Sequence, residues 1–215
     1  FYDIKNSNLF INFDNNLINL ITLVFLSILI TAIINFFNFM DGLNGMIAGC
    51  SFIFFIFYGF YNEELIIIFS LVLGIFLYFN WSPAKFFMGD AGSVYLGSVI
   101  ALSISQLNDI NYSFNTTLTL FPVFIDPSIC IIRRFFYNQN IFKAHKLHTY
   151  QRLNQSGLSH AKVSLIYIIG VLQLSIAYYV FNSSILYISI ALQFLIFLYL
   201  DNFVAMRFKK ASKNN

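Results

Sequence analysis

The sequence predicts an all-α fold: a polytopic bundle of about seven membrane-spanning helices, with a candidate active site at its cytoplasmic face. Three observations carry this. Of the 215 residues, 59% are hydrophobic and only 10% are charged, where a soluble domain usually has about 25% charged. The apolar residues gather in runs, each near the ~20 residues that a helix needs to cross a bilayer. The runs are continuous rather than alternating, which favours helices over a barrel.

The expected spans are 17–34, 46–61, 65–80, 93–107, 116–132, 163–181 and 185–203. The second, third and fourth are short, so they tilt little or extend into their flanks. The fifth holds Pro122, Asp126 and Pro127; the prolines should interrupt its hydrogen-bond ladder, and Asp126 should pair with a following arginine. There is no internal repeat and no separate soluble domain, so residues 1–215 read as one integral-membrane domain. The chain begins at Phe1 with a polar, Asn-rich stretch that lacks the layout of a signal peptide, and it reads as the C-terminal part of something longer.

Alternating sides places 35–45, 81–92, 133–162 and 204–215 on one face. That face then carries 11 of the 12 lysines and arginines, with Lys5 opposite, and the positive-inside rule makes it cytoplasmic. Asp3, Asp14, Glu63, Glu64 and Asp109 fall on the other side. The net charge of +3 leaves no basic footprint for nucleic acid. Cys50 and Cys130 both lie in apolar spans, where small buried side chains explain them without a disulfide framework or a metal knot.

Three loops on the cytoplasmic side carry the chemistry. In the first, Asn35, Asn38 and Asp41 recur every three residues before Gly42, Asn44 and Gly45. On a helix end they share one face, where amide and carboxylate oxygens suit a hard cation or a base edge. The second reads Phe86-Phe87-Met88-Gly89-Asp90-Ala91-Gly92-Ser93. A carboxylate beside an apolar span needs a partner or a task, and the helix that starts near Ser93 can offer its N–H groups to an anion. The third holds His145 and His148 among Lys143, Lys146 and Arg152. A His pair at this spacing can bind zinc, but no Cys or acid lies beside it in sequence; mixed His, Lys and Arg suit anionic oxygens. Carboxylates for Mg²⁺ and cations for phosphate together suit phosphoryl transfer at the lipid boundary.

Asn35-x-x-Asn38-x-x-Asp41-Gly42, Phe86-Phe87-Met88-Gly89-Asp90-x-Gly92-Ser93 and Ala144-His145-x-x-His148-x-Tyr150-Gln151-Arg152-Leu153 resemble the polyprenyl-phosphate N-acetylhexosamine-1-phosphate transferases. The match covers roughly 30–160, with three motifs in order. The resemblance implies a multi-pass protein of the bacterial plasma membrane. It would move a sugar-1-phosphate from a UDP-sugar to undecaprenyl phosphate, release UMP and need Mg²⁺. It implies that Asp90 is the central Mg²⁺ ligand with Asn38 as a second, and that Asp41, Asp90, His145 and His148 are the catalytic set. Phe87 would stack on uracil and Asn44 would meet its edge. Asn35 and Arg152 join these two as substrate-binding candidates. Association as a homodimer is left open.

Two departures from the family pattern stand out. The Asp-Asp pair of an earlier cytoplasmic loop has no counterpart here, so an inactive piece of the family fold is one alternative reading. His-Lys-Leu-His replaces adjacent histidines, which favours a branch that initiates O-antigen-like polysaccharide from a UDP-N-acetylhexosamine. A transporter is the other alternative; only Asp126 and Asp201 would serve it, and the polar residues cluster at one face instead.

Overall fold

A computed structural model describes residues 16–141 and 143–213. Asp3, Lys5 and Asp14, expected opposite the basic face, lie outside these residues, as does Phe142. Among the described residues the chain is helical and has no strand. The first four helices are α1 (Asn16–Met40), α2 (Met46–Tyr61), α3 (Glu64–Asn80) and α4 (Gly89–Ser105). Then come α5 (Ile110–Leu118), α6 (Phe121–Phe136) and the short α7 (Thr149–Gln155). The last are α8 (His160–Ser175), α9 (Ser183–Tyr199) and α10 (Phe208–Lys213). Helices α8 and α9 run on through π-helical turns at Ile176–Phe181 and Leu200–Val204.

Every expected span is helical, with one correction. The fifth is not a single helix over 116–132: α5 and α6 meet at 76°. The break lies at Thr119-Leu120, ahead of the prolines. Pro122 sits in the first turn of α6, where its missing N–H has no intrahelical partner to lose, and α6 continues through Pro127. Three described helices are long and apolar enough to cross a membrane: Leu17–Met40, His160–Phe181 and Ser183–Val204. The bent pair would make a fourth. Helix α2, with 16 residues, rises about 24 Å against the ~30 Å of a hydrocarbon core. The fold is that of a polytopic helical membrane bundle.

Helix α2 is the pivot. It packs along α3 on one side and α8 on the other, while α1 packs on α4 and α6. A single core joins them through Phe37, Met46, Phe54, Phe55, Ile100, Val123 and Val163. The outward faces stay apolar: Leu65, Ile68, Leu71, Val72 and Ile75 on α3 are all more than half exposed. Such a surface matches lipid, and between helices in lipid it is close packing and hydrogen bonding that hold the bundle.

The helix boundaries follow local chemistry. Asp109 caps α5 by accepting from Tyr112 N at 2.6 Å, and Asn182 caps α9 by accepting from Ile185 N at 3.0 Å. These side-chain acceptors replace partners that the first turn lacks. The result for function is simple: the α1–α2, α3–α4 and α6–α7 connections, and the segment after α9, all come to one end of the bundle.

Candidate active site

Direct contacts tie the three motif loops together. Asn80, buried at the end of α3, links the first two. Its Oδ1 accepts from Gly45 N at 2.9 Å and its Nδ2 donates to Phe86 O at 2.8 Å. Ser93 Oγ donates to Asn38 Oδ1 at 2.8 Å, so the start of α4 is fastened to the end of α1. Gly89 turns the chain into α4 with φ +64°, a left-handed conformation that glycine adopts without strain. Tyr150, from α7, reaches the first loop, where its hydroxyl donates to Phe39 O at 2.9 Å. Its ring lies against Gly42, where a Cβ would run into the Tyr150 hydroxyl, so a larger residue there requires the ring to move.

The first and second loops bring two carboxylates together. Asp41 is half-buried in the turn after α1, and Asp90 is exposed in the first turn of α4. Burial pushes the Asp41 carboxyl up to about 7, with a further rise from the Asp90 charge. A nearby cation favours the charged form of a carboxylate that burial and a neighbouring charge have raised. Asn38, bonded to Ser93, sits on the last turn of α1 just before Asp41, and its amide oxygen has a second lone pair. Asp41, Asp90 and Asn38 are thus the side-chain oxygens that these two loops offer near one another.

The third loop is anchored from below. Asp126, fully buried on α6, accepts from Thr149 N at 2.7 Å and Tyr150 N at 2.9 Å. These are the first N–H groups of α7, which have no intrahelical acceptor. Tyr167 of α8 donates to the same carboxylate at 2.6 Å. His148 is buried between the Phe39 and Tyr150 rings, with centroids 6.2 and 5.7 Å away. Its Nδ1 faces Asp126 Oδ1 at 3.7 Å, too long for a hydrogen bond. His145 lies beside it, centroids 4.9 Å apart. Burial, then His148 and Arg134, lowers the His145 imidazole to about 4, so near pH 7 it is neutral and offers one donor and one acceptor rather than a charge.

Two expectations change here. Asp126 was expected to pair with Arg133 or Arg134. Its partners are instead backbone N–H groups and a tyrosine, because the α6 axis points it at the start of α7. Arg152 was expected at the substrate, but its side chain is buried and its donors face inward. They reach Leu147 O at 3.1 Å, Met206 O at 2.9 Å, Thr149 Oγ1 at 3.2 Å and the Asp201 carboxylate. Asp201 also takes Arg133. Arg134 likewise binds the carbonyls of Asn140, Ile141 and Lys143. Lys143 and Lys146, both exposed, are the cations that this loop presents outward. Phe87 is 75% exposed. Asn44 is partly buried, with its carbonyl taken by Ser164 Oγ at 2.9 Å, and Asn35 lies on the outer face of α1.

A model described as glycosyl transferase family 4 matches residues 2–108, the segment that contains both the Asn/Asp loop and Gly-Asp-x-Gly. The chain belongs to glycosyl transferase family 4. A relative from Bacillus subtilis (strain 168), named "Probable undecaprenyl-phosphate N-acetylglucosaminyl 1-phosphate transferase", is 36% identical over 142 residues, 63% of this chain and 39% of that protein. A decaprenyl-phosphate N-acetylglucosaminephosphotransferase from Mycobacterium tuberculosis (strain ATCC 25618 / H37Rv) is 32% identical over 116 residues, 47% of this chain and 28% of its own. A phospho-N-acetylmuramoyl-pentapeptide-transferase from Thermotoga maritima (strain ATCC 43589 / DSM 3109 / JCM 10099 / NBRC 100826 / MSB8) is 31% identical over 108 residues, 49% of this chain and 34% of its own. The chain thus spans well under half the length of each of these relatives.

For this family 4 chain, sequence reasoning missed the residues that set the loops in place. Asn80 reads as a helix end before Trp81-Ser82-Pro83, and nothing in its spacing says that it bridges two loops. Tyr150 belongs to the third motif, yet its reach across Gly42 depends on the fold. Tyr167 and Asp201 lie in apolar runs; a polar side chain in such a run is the signal that a partner exists, though not which one.

Proposed function

We propose that this protein transfers a sugar-1-phosphate, of the N-acetylhexosamine class, from a UDP-sugar to a polyprenyl phosphate, with release of UMP. The single observation that carries the reading is the convergence of Asp41 and Asp90 with the histidine loop at one end of a membrane bundle. Family membership supports the general reaction. In the bacterial plasma membrane this end would face the cytoplasm, since the exposed Lys143, Lys146 and Lys209 gather there.

The two acids and Asn38 would hold Mg²⁺, which when bound supplies charge neutralisation for a diphosphate. Asp90, exposed in the first turn of α4, would be the ligand open to solvent and substrate; Asp41, half-buried and raised, would bind a cation only in its deprotonated form. His145, neutral near pH 7, and His148, held by Phe39, Tyr150 and Asp126, would orient phosphate or sugar oxygens. Exposed Phe87 would stack on uracil, with Asn44 at its edge, and Lys143 and Lys146 would draw the anionic substrates in. Such positioning and charge compensation is most of what phosphoryl transfer requires. The lipid phosphate oxygen forms the new P–O bond to the β-phosphorus of the donor, and the bond to UMP breaks.

A groove favours a lipid as the second substrate. It has a volume of about 540 Å³ and follows α1 from Leu23 and Ile28 to Asn35 and Phe39, with Ile131 of α6 along its side. It opens on the apolar outer face and ends one turn from Asn38 and Asp41, so a buried tail there would leave its phosphate at the acids.

The test is transfer of labelled phosphosugar from UDP-N-acetylglucosamine and other UDP-N-acetylhexosamines to undecaprenyl phosphate, in membranes containing the protein and Mg²⁺. Product and UMP should form together, and Asp90→Ala should abolish both. Transfer by Asp90→Ala at the wild-type rate would remove Asp90 from the site. UMP release that ignores the lipid phosphate would remove the lipid acceptor.

A further inference from the structure

Sequence spacing gives the His145/His148 pair no third ligand; the fold supplies one. Cys130, from the middle of α6, lies beneath the histidine loop. Among the described residues, ligand atoms of Cys130, His145 and His148 lie within 4.8 Å of one another. We infer that these three side chains form a binding site for a thiophilic divalent ion, zinc by preference, separate from the oxygen donors at Asp41 and Asp90.

Four features of the geometry support this. Bonds of about 2.3 Å to sulfur and 2.0–2.1 Å to nitrogen place tetrahedral ligands roughly 3.3–3.7 Å apart, so the three close on an ion by shifts of about 1 Å. The donor set is soft thiolate plus imidazole, which selects zinc over Mg²⁺. Cys130 and His148 are 3% and 4% exposed, a dry setting that favours a bound ion over its hydrated form. His148 turns Nδ1 to Asp126 at 3.7 Å, and that buried atom has no hydrogen-bond partner. A ligating imidazole usually sets its other nitrogen against a carboxylate in this way, and a shift of the ring onto an ion would let the Nδ1–H···Asp126 bond close.

The surroundings include opposing charges. Arg133, Arg134 and Arg152 lie near Cys130, but Arg133 and Arg152 are paired with Asp201, and Asp126 sits on the His148 side. Binding replaces the Cys130 proton: thiol plus M²⁺ gives metal thiolate plus H⁺, so the site fills more readily as pH rises. Three protein ligands leave a fourth position open. The bland explanation of Cys130 is packing against Leu147, Phe208 and Ala211, which requires no metal. An ion here would take both histidines away from substrate. Zinc should then inhibit transfer while Mg²⁺ supports it, a consequence that rests on the proposed function, whereas the site itself does not.

The experiment is a Co²⁺ titration of the detergent-purified protein in excess Mg²⁺. Expected are the strong visible bands of tetrahedral cobalt with a near-ultraviolet thiolate charge-transfer band, both displaced by zinc. Cys130→Ser should lose the charge-transfer band, and His145→Gln should weaken binding by more than about tenfold, the least that even an outer partner is worth. A measurement on the wild type needs no folded variant: both thiols are buried, so alkylation is run in denaturant that opens the chain, where zinc should slow the reaction of Cys130, and not of Cys50, read by mass spectrometry. Weak octahedral cobalt spectra, or equal alkylation of Cys130 with and without zinc, would overturn the site. A tetrahedral thiolate spectrum in a protein with no transfer activity would uphold the site and count against the transferase. Zinc inhibition relative to each variant's own rate in Mg²⁺ without zinc should be lost in Cys130→Ser; equal inhibition in both would overturn the regulatory consequence.

Discussion

Asp41 gives the sharpest handle on the oxygen-donor site. Its carboxyl is raised to about 7, mostly by burial and then by Asp90, so it is about 90% ionised at pH 8 and about 10% at pH 6. A divalent ion must displace that proton, and the apparent affinity should fall about tenfold between pH 8 and pH 6. The stability sign follows. The folded pKa lies above the unfolded one, so between about pH 4 and pH 7 the folded state holds a proton that the unfolded chain has lost. Without the ion, stability therefore falls as pH rises through that window, and the ion restores it only where Asp41 is ionised. The assay is thermal unfolding in detergent with and without Mg²⁺, with Mn²⁺ electron spin resonance for affinity. Mg²⁺ should raise the unfolding temperature more at pH 8 than at pH 6. Asp90→Asn should lower the pH midpoint, because the second cause is gone, yet leave it above the ordinary carboxylate range, because burial remains. Equal Mn²⁺ affinity at pH 6 and pH 8 would refute the reasoning.

Three further outcomes concern the scaffold. Asp126→Ala leaves Thr149 N and Tyr150 N without an acceptor, at about 1–3 kcal/mol each; unfolding should shift accordingly and proteolysis should open the chain near 140–155. Asp201→Ala strands Arg133 and Arg152 and should destabilise by about 3–5 kcal/mol, with the greater loss of protection at the junction of α7 and the segment after α9, read by hydrogen exchange. Asn80→Ala removes bonds to Gly45 and Phe86 and should lower stability by about 2 kcal/mol while weakening Mg²⁺ affinity, since both acids sit on the loops it links.

Much of this was legible in the sequence. Continuous apolar runs mark helices because nothing else satisfies the backbone in lipid, and the basic loops share an end as their charges predict. The motif loops also meet, as paired Asn and Asp with Gly-Asp-x-Gly suggest. What stayed hidden depends on rotation and depth. The apolar run at 116–132 does not reveal that Thr119-Leu120 breaks it by 76°, because hydropathy is blind to a change of axis. Arg152 looks like a phosphate ligand by type, and only the fold shows Asp201 opposite it. Cys130 reads as a small core residue until α6 is seen to pass under the histidines. The two buried acids follow one rule: each sits where a helix start or a guanidinium lacks a partner, which sequence order cannot show across 23 and 49 residues.

The decisive measurement is a cleavage map with Fe²⁺ in place of Mg²⁺, using peroxide to cut the backbone around the bound ion. One ion held where the loops converge should cut within 38–42, 88–93 and 145–150, with cuts suppressed by excess Mg²⁺ and absent in Asp90→Ala. Mg²⁺-protectable cuts confined to one of these segments, or placed at the other end of the bundle near Glu63 and Asp109, would contradict a shared site.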